Sequence, residues 1–189
     1  MTSVPALIMA VPWEMRRAIR ARQLSAQAAP AAIVWDSNQN AFDTWVKTLT
    51  RIGDEPAIVL EDDVTLTEGW REKIDAAIPE HAQSLIQFFS LPRKADTQGS
   101  RWEPGRSFAM NQCYYLPPGM AVDLLSAAER WRTARPEHPT GYDVLMADYL
   151  KRTGQRYWLH LPSLVQHESW PSEINRRRPR NRQSASFQP

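Results

Sequence analysis

The stretch Ile58-Val59-Leu60-Glu61-Asp62-Asp63-Val64 decides the fold prediction, because an apolar run passes directly into three carboxylates. Ligands of α/β sheets bind at the C-terminal ends of the strands. Adjacent carboxylates repel each other and are costly to desolvate without a counter-cation. Strand alternation predicts Glu61 and Asp63 on one side, where two oxygen ligands suit Mg²⁺ or Mn²⁺ holding a diphosphate. The alternative is a solvated acidic turn before the next helix.

Apolar runs alternate with amphipathic stretches on both sides of this segment. The predicted strands are Val4–Val11, Ala31–Trp35, Ala57–Leu60, Ser84–Phe89, Cys113–Leu116 and Tyr157–Val165. The predicted helices are Trp13–Gln27, Phe42–Leu49, Thr67–Ile78 (capped by Thr67), Pro117–Arg130 and Thr140–Arg152. This alternation predicts a single α/β domain with a mostly parallel sheet flanked by helices. The polar stretch Pro92 to Arg106 is predicted to be a long functional loop.

Charge is unevenly distributed along the 189 residues, although 23 basic and 21 acidic side chains give a net charge of only +2. Five arginines lie together near the C-terminus: Arg176, Arg177, Arg178, Arg180 and Arg182. We therefore predict a domain at residues 1–175 and a basic, flexible tail at residues 176–189. The tail suits phosphate contacts on nucleic acid or an anionic membrane surface, or it merely aids solubility.

Several classes of protein are disfavoured by the composition. No apolar run approaches the roughly 18 residues of a membrane span, and the short apolar N-terminal run lacks preceding basic residues. A single cysteine, Cys113, excludes an internal disulfide framework and a cysteine-based zinc cluster. Neither GxxxxGK[ST] nor GxGxxG occurs. We expect a soluble protein of a reducing compartment, the cytoplasm.

Two segments resemble a known family. Ala57–Trp70, which contains Leu60-Glu61-Asp62-Asp63, resembles the Asp-x-Asp-type strand of A-type glycosyltransferases, most closely the lipopolysaccharide-modifying family with the motif Leu-Glu-Asp-Asp. Phe108–Leu125 resembles that family's acceptor-side strand and helix. The resemblance implies a Rossmann-like glycosyltransferase A-type fold and metal-dependent transfer of a sugar from a nucleotide-diphospho-sugar, such as a UDP-sugar, to a hydroxyl. The chain is short for this fold, which implies trimmed acceptor-binding elements.

The same resemblance implies roles for residues at the ends of the first three strands. Asp63 would be the direct metal ligand, and Glu61 its partner or a ribose contact through water. Asp62 would hold the sugar or support the metal ligands. Asp36 matches a nucleoside contact, and the edge formed by Val11-Pro12 would border the base.

Residues of the second half of the chain complete the expected site. The resemblance implies that His167 closes the metal site, and a nitrogen ligand is compatible with Mn²⁺. The alternative is that His167 is an ordinary half-buried histidine. Asp143 matches the base of an inverting transferase, but Thr140-x-x-Asp143 is also a helix capping box. Arg16 or Arg17 could contact phosphates, although surface arginines are the simpler interpretation.

The sequence also indicates which tryptophans could contact a ligand, and it leaves the identity of the acceptor open. We expect Trp102 and Trp170 to stack on a sugar or base, and Trp45 and Trp70 to lie in the core. The acceptor stays open between a hydroxymethylated base in DNA and a glycan or lipopolysaccharide. Two rival interpretations are a metal-dependent nuclease or phosphoesterase and a non-catalytic nucleic-acid-binding module that acts through the tail.

Overall fold

A seven-stranded sheet forms the centre of the computed structural model, which describes residues 3–90, 99–135, 141–168 and 183–189. The strands are β1 (Ala6–Ala10), β2 (Ala31–Trp35), β3 (Ala57–Glu61), β4 (Val64–Leu66), β5 (Ile86–Gln87), β6 (Arg101–Pro104), β7 (Cys113–Leu116), β8 (Arg156–Leu159) and β9 (Val165–His167). The order in the large sheet is β2-β1-β3-β7-β5-β8-β6, and β4 pairs with β9 in a separate ribbon. The chain is therefore a single mixed α/β domain.

Strand direction confirms the prediction of a mostly parallel sheet. β1 pairs in parallel with β2 and β3, and β5 pairs in parallel with β8. β7 runs antiparallel to both β3 and β5, and β6 runs antiparallel to β8. It follows that β1, β2, β3, β5 and β8 point the same way, so that their C-terminal ends share one edge of the sheet.

In the described part of the chain, five α-helices cover the two faces of the sheet: α1 (Met15–Gln27), α2 (Ala41–Ile52), α3 (Trp70–Ala77), α4 (Met120–Ala134) and α5 (Tyr142–Arg152). α2, α4 and α5 pack on the face that contains Val59, whereas α1 and α3 pack on the face that contains Ile58 and Leu60. This alternation along β3 is the two-residue period of a strand buried on both faces. Among the described residues, no helix has the length and hydropathy needed to cross a bilayer.

Local signals around two elements were misjudged from the sequence. Thr67 does not cap α3, which begins at Trp70 after Gly69 in a left-handed conformation with φ 62°. The Thr67 hydroxyl instead donates to the carbonyl of Gln188 near the end of the chain. Part of the expected loop from Pro92 to Arg106 is the edge strand β6, while residues 91–98 lie outside the described residues.

The C-terminal segment departs from the predicted flexible tail. Residues 183–189 pack near the β4–β9 ribbon, and Ser184 is buried. Its backbone N–H donates to Gln166 Oε1 over 2.7 Å, and its hydroxyl lies 2.8 Å from that of Ser163. Polar side chains thus anchor the chain end in place of apolar ones, a signal that composition does not carry. The five arginines of the expected basic segment, in residues 176–182, lie outside the described residues.

Candidate active site at the end of strand β3

The β4–β9 ribbon brings two expected site residues together. β3 ends at Glu61, the chain bends through Asp62 and Asp63, and β4 then pairs antiparallel with β9 so that Val64 lies opposite His167. His167 Nε2 consequently lies 3.6 Å from Asp63 Oδ2. The side chain of His167 is buried, because β9 packs under this bend. Two groups far apart in the sequence therefore meet at one point of the sheet edge.

Asp63 carries an unsatisfied buried oxygen. Its Oδ2 lies 3.7 Å from Arg17 Nη2 as well as near His167, but its Oδ1 is buried without a hydrogen-bond partner among the described residues. Buried carboxylate oxygens in folded proteins are almost always bonded to a donor or a cation. Asp63 Oδ1 is thus available to a cation or to a donor group of a ligand.

Asp62 braces the end of β1 against α1. Its side chain is fully buried. Oδ1 accepts bonds from Nε of Arg17 over 2.9 Å and from Nη2 of the same guanidinium, and Oδ2 accepts from the N–H of Val11 over 2.8 Å. Burial raises the pKa of Asp62 to about 6, although Arg17 acts in the opposite direction. Its oxygens therefore contact protein groups, and of the two roles expected from the sequence, holding the sugar or supporting the metal ligands, this arrangement suits the second.

Arg17 is not the surface arginine favoured by the sequence. Only 16% of its side chain is exposed, and its guanidinium lies between the carboxylates of Asp62 and Asp63. The N-cap Glu14 accepts from the N–H of Arg17 over 2.8 Å, which fixes the first turn of α1. The structure thus places a fixed cation within the acidic cluster.

The Glu61 side chain lies on the side of β3 opposite to that of Asp62, and its carboxylate accepts hydrogen bonds from two donors. The hydroxyl of Tyr142 donates to Oε1, and Nε2 of Gln112 donates to Oε2 over 3.2 Å. Burial first, and then the charge of Asp63, raise the pKa of Glu61 to about 7.

A buried aromatic stack supports Glu61 from below. Tyr142 stacks on Trp45 with ring centroids 5.5 Å apart and planes 18° from parallel. Trp45 Nε1 donates to the hydroxyl of Tyr114 over 2.9 Å. Both Trp45 and Trp70 are buried, which confirms that they belong to the core. The rigid stack limits where the Glu61 carboxylate can move.

The expected nucleoside contacts lie on the same sheet edge. Asp36 follows β2, its N–H donates to the carbonyl of Ala10 over 2.8 Å, and its Oδ1 accepts from the N–H of Asn38 over 3.0 Å. Because β1 and β2 are parallel, Asp36 ends beside Val11 and Pro12. The arrangement groups these three residues with the acidic cluster, and their contact with a nucleoside stays a prediction.

Asp143 lies at the start of α5, whose N-cap is Gly141, with φ 87° and no side-chain cap. Thr140, the other residue of the capping-box alternative, lies outside the described residues. Asp143 Oδ1 accepts from the N–H of the next residue, Val144, over 2.9 Å. The neighbouring Tyr142 contacts Glu61, so the start of α5 borders the acidic cluster.

Asn111 and Gln112 were missed by sequence reasoning. Both are 97% buried, with 3% of their surface exposed. Both polar atoms of the Asn111 side chain and Oε1 of Gln112 lack hydrogen-bond partners among the described residues. The N–H of Glu61 donates to the carbonyl of Gln112 over 3.0 Å, so the pair borders the acidic end of β3. An amide pair directly before the apolar strand β7 was the signal available in the sequence.

Asp63 and His167 are the two adjacent groups that suit a metal. In the part of the chain that the structure describes, no three His, Cys, Asp or Glu side chains are arranged as a metal-binding group. Glu61, expected as the second carboxylate ligand, has its oxygens in bonds with Tyr142 and Gln112. A metal at this point would therefore need further ligands from water or substrate.

Trp102 is placed away from this edge. It lies on β6, where its ring contacts Trp158 and His81 with centroids 5.5 and 5.3 Å away. It also lines a cleft of about 540 Å³ formed by the N-terminal ends of β5 and β8 and the C-terminal end of β7. Since β7 is antiparallel, that cleft lies at the sheet edge opposite the acidic cluster. Trp170 lies outside the described residues.

Comparison with known proteins supports the fold. No family matches the chain by its sequence, and no curated protein matches it. The chain is similar to the solved structure of a protein described as a glucose-1-phosphate thymidylyltransferase from Bacillus anthracis, in complex with a sucrose. The two share 11% identity and a TM-score of 0.50, over 87% of this chain and 89% of that chain. At this identity the likeness shows a shared Rossmann-like α/β fold.

Proposed function

We propose that the chain is a glycosyltransferase that transfers a sugar from a nucleotide-diphospho-sugar, such as a UDP-sugar, to a hydroxyl acceptor. The observation that carries the proposal is the pair of Asp63 and His167, 3.6 Å apart, with the buried Asp63 Oδ1 left without a donor. The pair lies at the edge where α/β sheets bind ligands. The fold shared with a protein named for sugar phosphate and nucleotide chemistry supports this choice.

The residues present fit a divalent cation that is completed by its substrate. Mg²⁺ and Mn²⁺ commonly take one or two protein ligands together with water and substrate phosphates. Asp63 Oδ1 would supply the oxygen ligand, and His167 Nε2 a nitrogen ligand compatible with Mn²⁺. Glu61 would act through its charge or through a water. When bound, the cation supplies Lewis acidity at the leaving diphosphate.

The chain's own groups would orient the donor and move the acceptor proton. Arg17 holds the carboxylates of Asp62 and Asp63 in place, and a fixed electrostatic site stabilises developing charge without reorganisation. Asp36 and the edge at Val11-Pro12 would contact the nucleoside. Asp143, at the border of the cluster, would take the proton of the acceptor hydroxyl.

The first test measures the thermal stability of the protein with UDP-glucose, UDP-N-acetylglucosamine and dTDP-glucose, with and without Mn²⁺. Binding to the folded state raises Tm in proportion to the logarithm of ligand concentration above Kd. We expect stabilisation that requires both metal and nucleotide in wild type and is lost in Asp63→Ala. The matched control is Asp54→Ala, an exposed aspartate at the N-terminal end of β3, which should respond like wild type. Stabilisation that persists in Asp63→Ala contradicts the proposed site.

Nucleotidyl transfer is the second candidate, favoured by the shared fold with the thymidylyltransferase. It would join a nucleoside triphosphate to a sugar phosphate and release pyrophosphate. Glycosyl transfer releases a nucleoside diphosphate from a nucleotide-sugar instead. Incubation with dTTP and glucose 1-phosphate, followed by measurement of pyrophosphate, separates the two reactions. Metal-dependent pyrophosphate release would favour this candidate.

The basic segment at residues 176–182 bears on the identity of the acceptor. We propose a nucleic acid as one candidate, because five arginines between residues 176 and 182 would neutralise phosphates. The affinity for DNA should then fall steeply with salt, and replacing Arg176, Arg177 and Arg178 with Ala should reduce the salt slope. If DNA binds equally well after this replacement, the acceptor is better sought among glycans.

A further inference from the structure

Asn111 and Gln112 form a buried polar pair whose side chains make one hydrogen bond among the described residues, from Nε2 of Gln112 to Glu61. Three of their side-chain atoms lack partners among the described residues, namely both polar atoms of Asn111 and Oε1 of Gln112. A buried amide group without a partner is costly in free energy, so such groups need an explanation.

The segment that carries the pair is held on both sides. Nε2 of Gln87 donates to the carbonyls of Ala109 and Met110, at 2.5 and 2.8 Å, and Met110 adopts φ 69°. The N–H of Glu61 binds the carbonyl of Gln112. A non-glycine residue at positive φ costs free energy and persists where the surrounding contacts enforce it. The amides are therefore presented by a backbone fixed in one conformation.

The orientation of the Gln112 amide follows from its neighbour. Its Nε2 donates to the Glu61 carboxylate, so its Oε1 points away from that carboxylate and needs a donor. Asn111 offers both a donor and an acceptor. A phosphate supplies only acceptors and cannot satisfy Gln112 Oε1. A hydroxyl donates one hydrogen bond and also accepts, so two hydroxyl groups would satisfy the two amide oxygens and Nδ2 of Asn111.

We propose that Asn111 and Gln112 bind the hydroxyl groups of the donor sugar. This inference rests on the proposed glycosyltransferase function. Gln112 donates to Glu61, which lies two residues before Asp63 in the chain. A sugar whose diphosphate is held at Asp63 through a cation would lie next to this pair, and the nucleoside would lie toward Val11 and Asp36. The subsite would therefore contribute to the affinity for the sugar and not to the affinity for the nucleotide.

The test compares the affinities of UDP and UDP-glucose, with UDP-N-acetylglucosamine as a second sugar donor, by calorimetry in the presence of Mn²⁺. We expect Asn111→Leu and Gln112→Leu to weaken binding of at least one nucleotide-sugar by tenfold or more and to leave the affinity for UDP within twofold. Gln83→Leu is the control, because Gln83 is an exposed amide at the opposite edge of the sheet. It should bind all three nucleotides like wild type.

The stability of the free protein gives an independent readout. Asn111→Leu removes two unpartnered buried atoms, so its Tm should equal or exceed that of wild type. A large decrease in Tm would mean that Asn111 has a structural role and would overturn the inference. Equal losses of affinity for UDP and UDP-glucose, or no loss for either, would also overturn it. If wild type binds no nucleotide at all, the proposed function itself fails and the inference fails with it.

Discussion

The two edges of the central sheet differ in whether their buried polar groups have hydrogen-bond partners. The edge opposite the acidic cluster holds a cleft of about 540 Å³, but polar groups around it have partners: Tyr149 donates to Asp123 over 3.1 Å, and Arg156 donates to the carbonyl of Trp102 over 2.9 Å. The acidic edge leaves Asp63 Oδ1 and neighbouring amide atoms buried without partners. Unmet hydrogen bonds are expensive, whereas an open cleft costs little. We therefore propose that the chemistry takes place at the acidic edge and not in the cleft.

The largest expected effect comes from making the same substitution, Asp to Asn, at each of the two edges. Asp63→Asn removes the charge that would hold the cation, and we expect the rate of sugar transfer to fall about 10³-fold. Asp123→Asn removes a charge beside the opposite cleft and retains an acceptor for Tyr149. Its turnover should match wild type. Steady-state kcat, measured for both variants at saturating Mn²⁺, decides between the edges.

A reversed result would be equally informative. If Asp123→Asn lost activity and Asp63→Asn retained it, the functional site would lie in the cleft at the opposite edge of the sheet. Circular dichroism of both variants serves as the control for folding, because neither substitution changes side-chain volume appreciably.

The second prediction concerns the ion pair that braces the acidic edge. Arg17→Met leaves the fully buried Asp62 without its cation, and we expect the free energy of unfolding to fall by about 2–4 kcal/mol at pH 8. The loss should shrink at pH 5, because Asp62, whose pKa is raised to about 6 even beside Arg17, is then protonated. Urea denaturation at the two pH values measures this difference.

The control removes the charge and its partner together. Arg17→Met combined with Asp62→Asn should recover part of the stability at pH 8, since no unpaired buried charge remains. A loss of stability that is the same at both pH values, and that the second substitution does not relieve, would show that packing rather than charge explains the effect.

The third prediction concerns the pH dependence of stability at Glu61. Its pKa in the folded protein is about 7, above the ordinary value of 4.5, so the folded state binds more protons than the unfolded state between these values. The free energy of unfolding should therefore decrease as pH rises from about 4.5 to 7, by about 1–3 kcal/mol from this group. Glu61→Gln should remove that decrease and make the variant the more stable protein at pH 8. Thermal melts across pH 4 to 8 that remain parallel for the two proteins would contradict this expectation.

The backbone arrangement was largely readable from the sequence. The apolar runs at Ala31–Trp35 and Cys113–Leu116 have the bounds of β2 and β7. β7 is buried on both faces, and such strands need continuous apolar residues, whereas β2 is a partly buried edge strand. The proximity of Asp63 and His167 was also anticipated, although only through a family resemblance. The ribbon that brings them together, β4 with β9, is three residues long on each side and leaves little periodic signal.

Side-chain partners were less predictable. Arg17 on an amphipathic helix looks like a surface residue until α1 is packed beside β3, because its partner Asp62 is distant in sequence. Asn111 and Gln112 carry no motif, and only the absence of partners for buried atoms distinguishes them. The loop prediction for the segment around Trp102 was wrong for residues 101–104, because an edge strand tolerates polar residues on its exposed side. Stacking of Trp102 on a sugar or base stays a prediction.

The smallest expected effect concerns Trp102, beside the cleft at the sheet edge opposite the acidic cluster. Trp102→Ala removes ring contacts with Trp158 and His81, and we expect the free energy of unfolding to fall by about 1 kcal/mol. Trp102→Phe, which keeps an aromatic ring, should lose less. The affinity for UDP-glucose should not change in either variant, because the ring lies on β6 and not at the end of β3. If calorimetry instead shows a tenfold weaker affinity for Trp102→Ala at unchanged stability, the sugar binds against this ring. The unmet hydrogen bonds at the acidic edge would then need another explanation.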